Sequence, residues 1–129
     1  MAHARVARLA TVDGAGRPHL IPVCFALAGK TIYNAVDHKP KRSTRLRRLS
    51  NVAANPRVAL LADHYEDDDW GALWWVRADG VGRVLEGGST EARRAVELLR
   101  ERYVPYRETP PCGPVLAVDV ERWWGWRGS

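Results

Sequence analysis

The chain alternates short apolar runs with turn-forming residues, and this pattern predicts a protein made mainly of β-strands. Val6 to Val12 is apolar and β-branched, and residues 13–16, Asp-Gly-Ala-Gly, have the chemistry of a turn. His19 to Leu27 and Thr31 to Val36 form two further runs, so we expect an antiparallel meander of three strands. Because Pro22 cannot donate a ladder hydrogen bond, the second strand should lie at an edge or be irregular there.

A first helix is predicted after this sheet. Ser43 or Thr44 is suited to cap its N-terminus, and Asn55-Pro56 ends it after about Ala54. The spacing predicts that its apolar face carries Leu46, Leu49 and Ala53.

A second helix has a clearer signal. Ser89 is its expected cap and Thr90 to Tyr103 its span, followed by a loop over Val104 to Pro114, which contains four prolines. Its predicted apolar face carries Ala92, Ala95, Val96 and Leu99.

Four more strand segments complete the pattern. They are Arg57 to Asp63, Leu73 to Leu85 with a break or bend at residues 78–80, Val115 to Val120, and Trp123 to Trp126. Consecutive antiparallel strands that close on themselves leave no exposed edges. We therefore expect a mainly β fold, a small barrel with two helices, formed by residues 1–129 as a single domain.

Composition narrows the class of protein. Hydrophobic residues make up 46% of the 129 residues, which is typical of a packed globule. The stretch from Met1 to Arg8 lacks the apolar core of a signal peptide, so we expect a cytoplasmic protein. Cys24 and Cys112 belong to no CxxC pair and are expected to be reduced residues in small apolar sites. The histidines have no metal-ligand spacing, and the acidic run at 66–69 lacks an ordered ligand pattern, so no metal site is expected.

The strongest chemical signal is a basic stretch at the start of the first helix. The chain carries a net charge of +5, and Lys39 to Arg45 concentrates cations and hydroxyls where a helix also presents unpaired N–H groups. This combination indicates a phosphate site, although a solvated basic helix start would have the same sequence. Arg47 and Arg48 extend the charge along the helix, as a nucleic-acid-binding face would.

Four stretches also carry a family resemblance. Residues 10–23 (ATVDGAGRPHLIPV), the basic turn before the first helix, and residues 55–61 (NPRVALL) resemble the pyridoxamine-phosphate-oxidase-like superfamily of split β-barrels. Residues 63–80 (DHYEDDDWGALWWVRADG) are similar to its coenzyme F420-dependent subgroup. The resemblance covers nearly the whole chain and implies an FMN-binding-like split barrel that forms a homodimer with two cofactor sites at the interface.

The resemblance also assigns residues to the cofactor. It places the isoalloxazine-type ring on the second and third strands, against residues 21–24 and 33–36. The cofactor-binding residues that it implies are Pro22, Val23, Asn34, Val36, Lys39, Lys41, Arg42, Ser43, Thr44, Trp75 and Arg77. Trp74 and Trp75 are candidates for the dimer interface, and Tyr33 or Asn34 is a candidate proton donor near the ring.

The implied activity is that of an F420-dependent oxidoreductase that transfers a hydride between the deazaflavin and an unidentified small organic substrate. The long basic stretch from Lys39 to Arg48 suits the more anionic tail of F420 better than the single phosphate of FMN. Three alternatives stay open: an FMN-dependent oxidoreductase of the same fold, a cofactor-binding protein without turnover, and a small basic nucleic-acid-binding β-protein. The tryptophans and the basic cluster lie in different segments, which counts against the last.

Overall fold

The computed structural model describes residues 1–36 and 42–128, with side chains from residue 47 onward in the helix that begins at Arg42. Within these ranges the strands are β1 (Ala7–Val12), β2 (Pro18–Val23), β3 (Ala26–Ala28), β4 (Thr31–Ala35), β5 (Arg57–His64), β6 (Trp74–Leu85) and β7 (Val115–Arg127). The helices are α1 (Arg42–Ala54), α2 (Thr90–Arg102) and α3 (Val104–Glu108), with a 3₁₀ turn at Trp70–Ala72. None of the described helices is long and apolar enough to cross a membrane.

All strands belong to one antiparallel sheet in the order β2-β1-β5-β6-β7-β4-β3. β2 and β3 therefore lie at opposite ends of the order, although Val23 and Ala26 are only three residues apart in the chain. Three residues reach at most about 11 Å, so the two ends of the sheet must come together and the sheet must curl. The expected mainly β split-barrel class is confirmed.

The predicted meander of three consecutive strands is wrong. The second apolar run divides at Cys24-Phe25, and its halves pair with different neighbours: β2 with β1, and β3 with β4. Hydrophobic patterning identifies the apolar run, but nothing in the pattern indicates the corner at Cys24-Phe25. The edge position predicted from Pro22 is confirmed, because β2 is the terminal strand of the order.

The hydrophobic core has two parts, one on each face of the sheet. The part inside the curl includes Leu9, Phe25, Ile32, Leu60, Leu116 and Val118. The other part lies beneath α2 and includes Ala26, Tyr33, Ala92, Ala95, Leu99 and Ala117. Three residues of the predicted α2 face are buried and Val96 is half-buried, so this helix is confirmed; the Ser89 hydroxyl accepts a hydrogen bond from Ala92 N at 3.2 Å, as expected for the cap.

The face of α1 differs from the prediction. Asn51 and Val52 are buried, Leu49 is half-buried and Ala53 is exposed. Asn51 is buried because its Nδ2 donates to Thr11 Oγ1 at 3.0 Å on β1. Val52 packs against Gly82 of β6, since a Cβ added at Gly82 would lie 3.0 Å from Val52 Cγ1. Hydrophobic patterning did not predict the burial of Asn51, because the hydrogen-bond partner of this side chain lies on another element.

Three further boundaries differ. β6 runs through the expected break and only shifts register between Asp79 and Gly80, and β7 is continuous where two strands were expected. Part of the predicted proline-rich loop is the short helix α3, which accepts Pro105 in its first turn because the N–H that proline lacks has no partner there. The antiparallel pair of β6 and β7 is consequently longer and more regular than the sequence indicates.

An arginine-centred network joins α2 to three strands. The Arg83 guanidinium donates to the Glu91 carboxylate at 2.8 and 2.9 Å and to the Asp119 carboxylate at 2.6 and 3.1 Å. Tyr33 and Thr31 donate their hydroxyl protons to the same two carboxylates. The hydrogen bonds from Arg83 lower the pKa of Glu91 and the pKa of Asp119. The network therefore ties the helix to the sheet through charge.

We predict that Arg83→Gln destabilises the protein at neutral pH by about 1 kcal/mol, because charge-assisted hydrogen bonds are lost but the groups are partly exposed. Carboxyl groups with lowered pKa values stabilise the fold above their unfolded pKa values, near 4, and lose this effect as the pH falls through the folded values. The wild-type unfolding free energy should therefore fall more steeply below about pH 4 than that of the variant. Urea unfolding at neutral and acidic pH measures the difference.

The control is Arg57→Gln, whose ion pair with Glu121 is more exposed. This variant should lie within about 0.5 kcal/mol of wild type at every pH. Equal pH dependence in wild type and Arg83→Gln would show that the network does not contribute to acid sensitivity.

Candidate functional site

A cleft opens where β2 ends and α1 and α3 approach the sheet. It encloses about 240 Å³ and is lined by Val6, Pro22, Val23, Cys24, Ala35, Arg48 and Tyr106. Pro22 and Val23 come from the edge strand β2, and Ala35 is the last residue of β4. The corner at residues 24–25 makes this meeting possible, since it carries the chain from one edge of the sheet to the other. The cleft thus joins the two strand segments expected to hold a ring.

Sequence reasoning included Arg48 only as the last residue of the basic stretch that begins at Lys39, and did not count it among the cofactor-binding residues. It lies within α1, six residues after the first residue of the helix, and its side chain is half-buried. In the sequence it is one of several arginines in a basic run, so charge alone did not distinguish it. Its place beside Pro22 and Val23 puts a permanent cation at the rim of an otherwise largely apolar cleft.

Asn34 and Val36 lie behind the cleft. Side chains alternate along β4, so Ala35 lines the cleft while Asn34 and Val36 are each only 2% exposed. Val36 N donates to Pro114 O at 3.1 Å, which fixes the end of the strand. Among the described residues, the Asn34 Oδ1 atom has no hydrogen-bond partner. Burying an amide oxygen without a hydrogen-bond partner costs free energy.

Tyr33 lies on the α2 side of the sheet. Its hydroxyl donates to Glu91 at 2.8 Å, and burial together with this hydrogen bond raises its pKa. The Tyr33 hydroxyl therefore donates its proton within the Arg83 network.

The residues of the predicted phosphate turn fall largely outside the described part of the structure. Lys39 and Lys41 lie outside the described residues, as do the side chains of Arg42, Ser43 and Thr44. The backbone of α1 begins at Arg42, so its N-terminus lies in the predicted region. The assignment of the phosphate to these residues stays a prediction.

Trp75 and Arg77 lie on β6, away from the cleft of the same chain. Their strand is separated from β2 by β1 and β5, which is three strand spacings or roughly 14 Å. Trp75 lines a different, aromatic cavity of about 600 Å³ with Trp74 and Trp126. One chain does not bring Trp75 or Arg77 together with Pro22 and Val23.

Arg77 instead belongs to a surface that we call the outer sheet face. Residues paired in register share one face, and one such row contains Pro22, Arg8, Leu61, Arg77 and Trp124. Leu20, two residues before Pro22, lies on the same face and is 67% exposed. The guanidinium of Arg77 lies 5.8 Å from the centre of the Trp124 ring. This face is contiguous with the cleft because Pro22 belongs to both.

Two features now define the class of protein: a single antiparallel sheet curled into a split barrel, and a cleft that borders an exposed sheet face of apolar and arginine side chains. The chain belongs to the pyridoxamine 5'-phosphate oxidase family, whose model matches residues 1–127. The resemblance found in the sequence is therefore confirmed at the level of the family.

Similar proteins include enzymes and binding proteins. The chain is 33% identical over 95 residues to a 5a,11a-dehydrotetracycline/5a,11a-dehydrooxytetracycline reductase of Streptomyces rimosus. That alignment spans 72% of this chain and 66% of the reductase, just under two thirds of its length.

Two solved structures share the fold. A heme storage protein from Vibrio cholerae superposes with a TM-score of 0.73 at 18% identity, over 97% of this chain and 87% of that protein. An FAD-binding protein from Mycobacterium smegmatis superposes with a TM-score of 0.60 at 19% identity, over 98% and 87% respectively. At such identities the likeness concerns the fold alone.

We predict that a ligand in the cleft protects Cys24 from alkylation. Cys24 lines the cleft and is half-buried, whereas Cys112 is exposed and serves as an internal control. Saturating F420, or FMN in a parallel arm, should slow maleimide labelling of Cys24 several-fold and leave Cys112 unchanged. Peptide mass spectrometry over a time course measures both rates. Equal protection of both cysteines, or of neither by a ligand that binds, would place the ligand elsewhere.

Proposed function

We propose that this chain is an oxidoreductase that binds a flavin-type cofactor, coenzyme F420, at the interface of a homodimer. One observation carries the proposal: the fold brings Arg48 into the same cleft as Pro22, Val23 and Ala35. Pro22, Val23 and Ala35 lie in the two stretches expected to contact a planar ring, and a guanidinium suits the phosphate of its tail.

The lining of the cleft fits such a group. Its apolar side chains suit the face of a fused ring, and Tyr106 adds an aromatic surface. Arg48 and the basic start of α1 would hold the anionic tail. When bound, the reduced deazaflavin supplies a hydride, so the protein need only orient the ring, exclude water and bind the tail.

The size of the cleft points to a second copy of the chain. A cavity that buries a drug-sized ligand typically encloses about 300–1,000 Å³, whereas this cleft encloses about 240 Å³. The described residues therefore supply only part of a flavin site, and we propose that a second copy supplies the rest. In a homodimer that pairs the outer sheet faces, Trp75 and Arg77 would reach the site from the partner, which accounts for their distance from Pro22.

The exposure of the outer sheet face supports the same assembly. Leu20, Leu61 and Trp124 are 67%, 37% and 46% exposed; Leu61 and Trp124 lie in one row of this face and Leu20 lies in the next. Exposed apolar side chains gathered on one face, here interleaved with Arg8 and Arg77, are typical of protein–protein interfaces, which are enriched in aromatic residues and arginine. Obligate homodimers bury such surface, commonly over more than about 2,000 Å².

The relative from Streptomyces supports reduction as the direction of the reaction. Its name describes a reductase that acts on dehydrotetracyclines. We propose that this chain likewise reduces a small, electron-poor organic substrate.

We predict that Arg48→Gln weakens F420 binding about tenfold to hundredfold, because a charge-assisted contact to a phosphate is worth about 1.5–3 kcal/mol. Arg94→Gln, which removes an exposed arginine on α2, is the matched control and should bind normally. The measurement is a fluorescence titration with F420 and with FMN, side by side, at one salt concentration. Tighter binding of FMN than of F420 would leave the proposed flavin-type site in place and identify FMN as its cofactor.

The phosphate turn is tested in the same titration. Lys41→Ala combined with Arg42→Ala should also weaken binding by a few kcal/mol while the fold is retained. Unchanged affinity in this double variant, with loss in Arg48→Gln, would move the phosphate contact to Arg48.

Turnover is tested by following oxidation of reduced F420 after an electron-poor acceptor is added. Binding without oxidation by any acceptor would favour a cofactor-binding protein, and salt-dependent binding of DNA or RNA alone would contradict the proposal.

The dimer is tested by Leu61→Arg. We predict that the wild-type chain of 14.5 kDa elutes as a dimer and that the variant is monomeric, because it adds a charge between Arg8 and Arg77 on the outer sheet face. The control is Val84→Arg, since Val84 is 42% exposed and lies outside that face. Light scattering coupled to size-exclusion chromatography gives the masses. A monomeric wild type at micromolar concentration would contradict the proposed assembly.

A further inference from the structure

The aromatic cavity lies at the end of the β6–β7 pair and encloses about 600 Å³. Besides Trp75 and Trp126, its lining includes Met1, His3, Trp74, Val76, Gly125 and Arg127. Met1 and Trp74 also pack against the part of the core inside the curl, so the cavity lies at one mouth of the barrel. Sites for drug-sized ligands typically enclose about 300–1,000 Å³ and are common at such mouths. The cavity therefore has the size and position of a small-molecule site.

The N-terminal segment that contributes to the cavity is held by α2. The Arg102 guanidinium donates to Ala2 O at 2.8 Å and to Ala4 O, and the Arg5 guanidinium donates to Arg102 O. These contacts fix the backbone on both sides of His3. This part of the lining is therefore in place before any ligand binds.

Gly125 leaves room in the cavity that the packing of the chain does not require. The described strands contain three glycines, Gly80, Gly82 and Gly125. A Cβ added at Gly80 or Gly82 would lie only 2.3 or 3.0 Å from an atom of a neighbouring element, so close packing accounts for both. A Cβ at Gly125 would meet nothing nearer than 3.6 Å, and its φ is not positive. A strand glycine that neither packing nor backbone requires is expected where a ligand approaches closely.

The side chains around Gly125 suit a planar anion. Trp74 offers an indole surface for an aromatic ring, and its own orientation is supported by His64, whose ring lies 6.3 Å away and nearly parallel. Arg127 is the register partner of Trp74, and its guanidinium has no hydrogen-bond or ion-pair partner among the residues that the structure describes. A carboxylate is the group that such a guanidinium binds best.

We propose that the aromatic cavity binds a planar aromatic carboxylate, with its ring against Trp74 in the space beside Gly125 and its carboxylate on Arg127. Trp74 and Val76 alternate with Arg77 along β6, so they lie on the opposite side of the strand from the outer sheet face. The inference goes beyond the proposed function, because it uses no residue of the cleft and holds whichever cofactor the cleft binds.

The space beside Gly125 is tested by isothermal titration calorimetry with anthracene-2-carboxylate as the probe. G125A should bind within about threefold of wild type, because its Cβ makes only ordinary contacts. G125V should bind at least about tenfold more weakly, because its branched side chain fills the space. Urea unfolding should show G125V to be at least as stable as wild type, since valine favours a strand more than glycine does. Equal affinity of wild type and folded G125V would overturn the site.

The class of ligand is tested with two further probes. Anthracene-2-carboxamide lacks the charge, and wild type should bind it about two- to fivefold more weakly than the carboxylate, as expected for an exposed charge contact. R127Q should lose this preference, and R122Q, which removes an exposed arginine of β7 outside the cavity, should retain it. Adamantane-1-carboxylate has the charge without a flat face and should bind at least about fivefold more weakly than the anthracene.

Three results would contradict the proposal. They are the absence of anthracene-2-carboxylate binding to wild type at millimolar concentration, equal binding of the adamantane, and the same carboxylate preference in R127Q as in R122Q. Each of these results would leave the proposed function intact, since F420 and FMN are titrated separately.

Discussion

The corner at Cys24-Phe25 is the constraint on which the rest of the structure depends. It joins the two terminal strands of the sheet, so the seven-stranded order can exist only if the sheet curls. Tyr103, at the end of α2, holds this corner: its hydroxyl accepts from Phe25 N at 3.1 Å and lies 2.8 Å from Arg5 O, which accepts its proton. The Arg102 guanidinium lies 5.0 Å from the centre of the Phe25 ring. The turn from one edge to the other is therefore stabilised by a helix more than 75 residues away in the chain.

The same corner creates the candidate site. Curling brings the end of β2 beside the end of β4, and α1 then lays Arg48 across the gap. Because β2 is an edge strand, the cleft opens at the margin of the sheet, and Pro22 links it to the exposed residues of the outer sheet face. Fold closure, the incomplete cleft and the apolar face are thus three consequences of one topology. An edge strand in this position is also a liability for aggregation unless its unpaired backbone groups are covered.

Much of the fold could be predicted from the sequence because its signals are local. The strand runs, the Ser89 cap and the α2 face follow from residue type and spacing alone, and the structure retains them. The strand order could not be predicted in this way, since nothing in the run from His19 to Leu27 indicates that its halves pair on opposite edges. The burial of Asn51 is a similar case. Its hydrogen-bond partner, Thr11, is 40 residues away, and an amphipathic pattern gives no information on so distant a contact.

The candidate site shows the same division between local and long-range information. Pro22 and Val23 were predictable because they belong to a recognisable segment, while Arg48 was hidden among the arginines of α1 and only the packing of that helix distinguishes it. Arg47 and Arg48 are adjacent in sequence and identical in charge, yet they line different cavities, because successive residues on a helix point about 100° apart. A basic run read as one patch therefore has two separate electrostatic roles in three dimensions. The helix therefore presents Arg48 to the cleft beside Pro22 and Val23, and Arg47 to the cavity beside the β1–β2 turn.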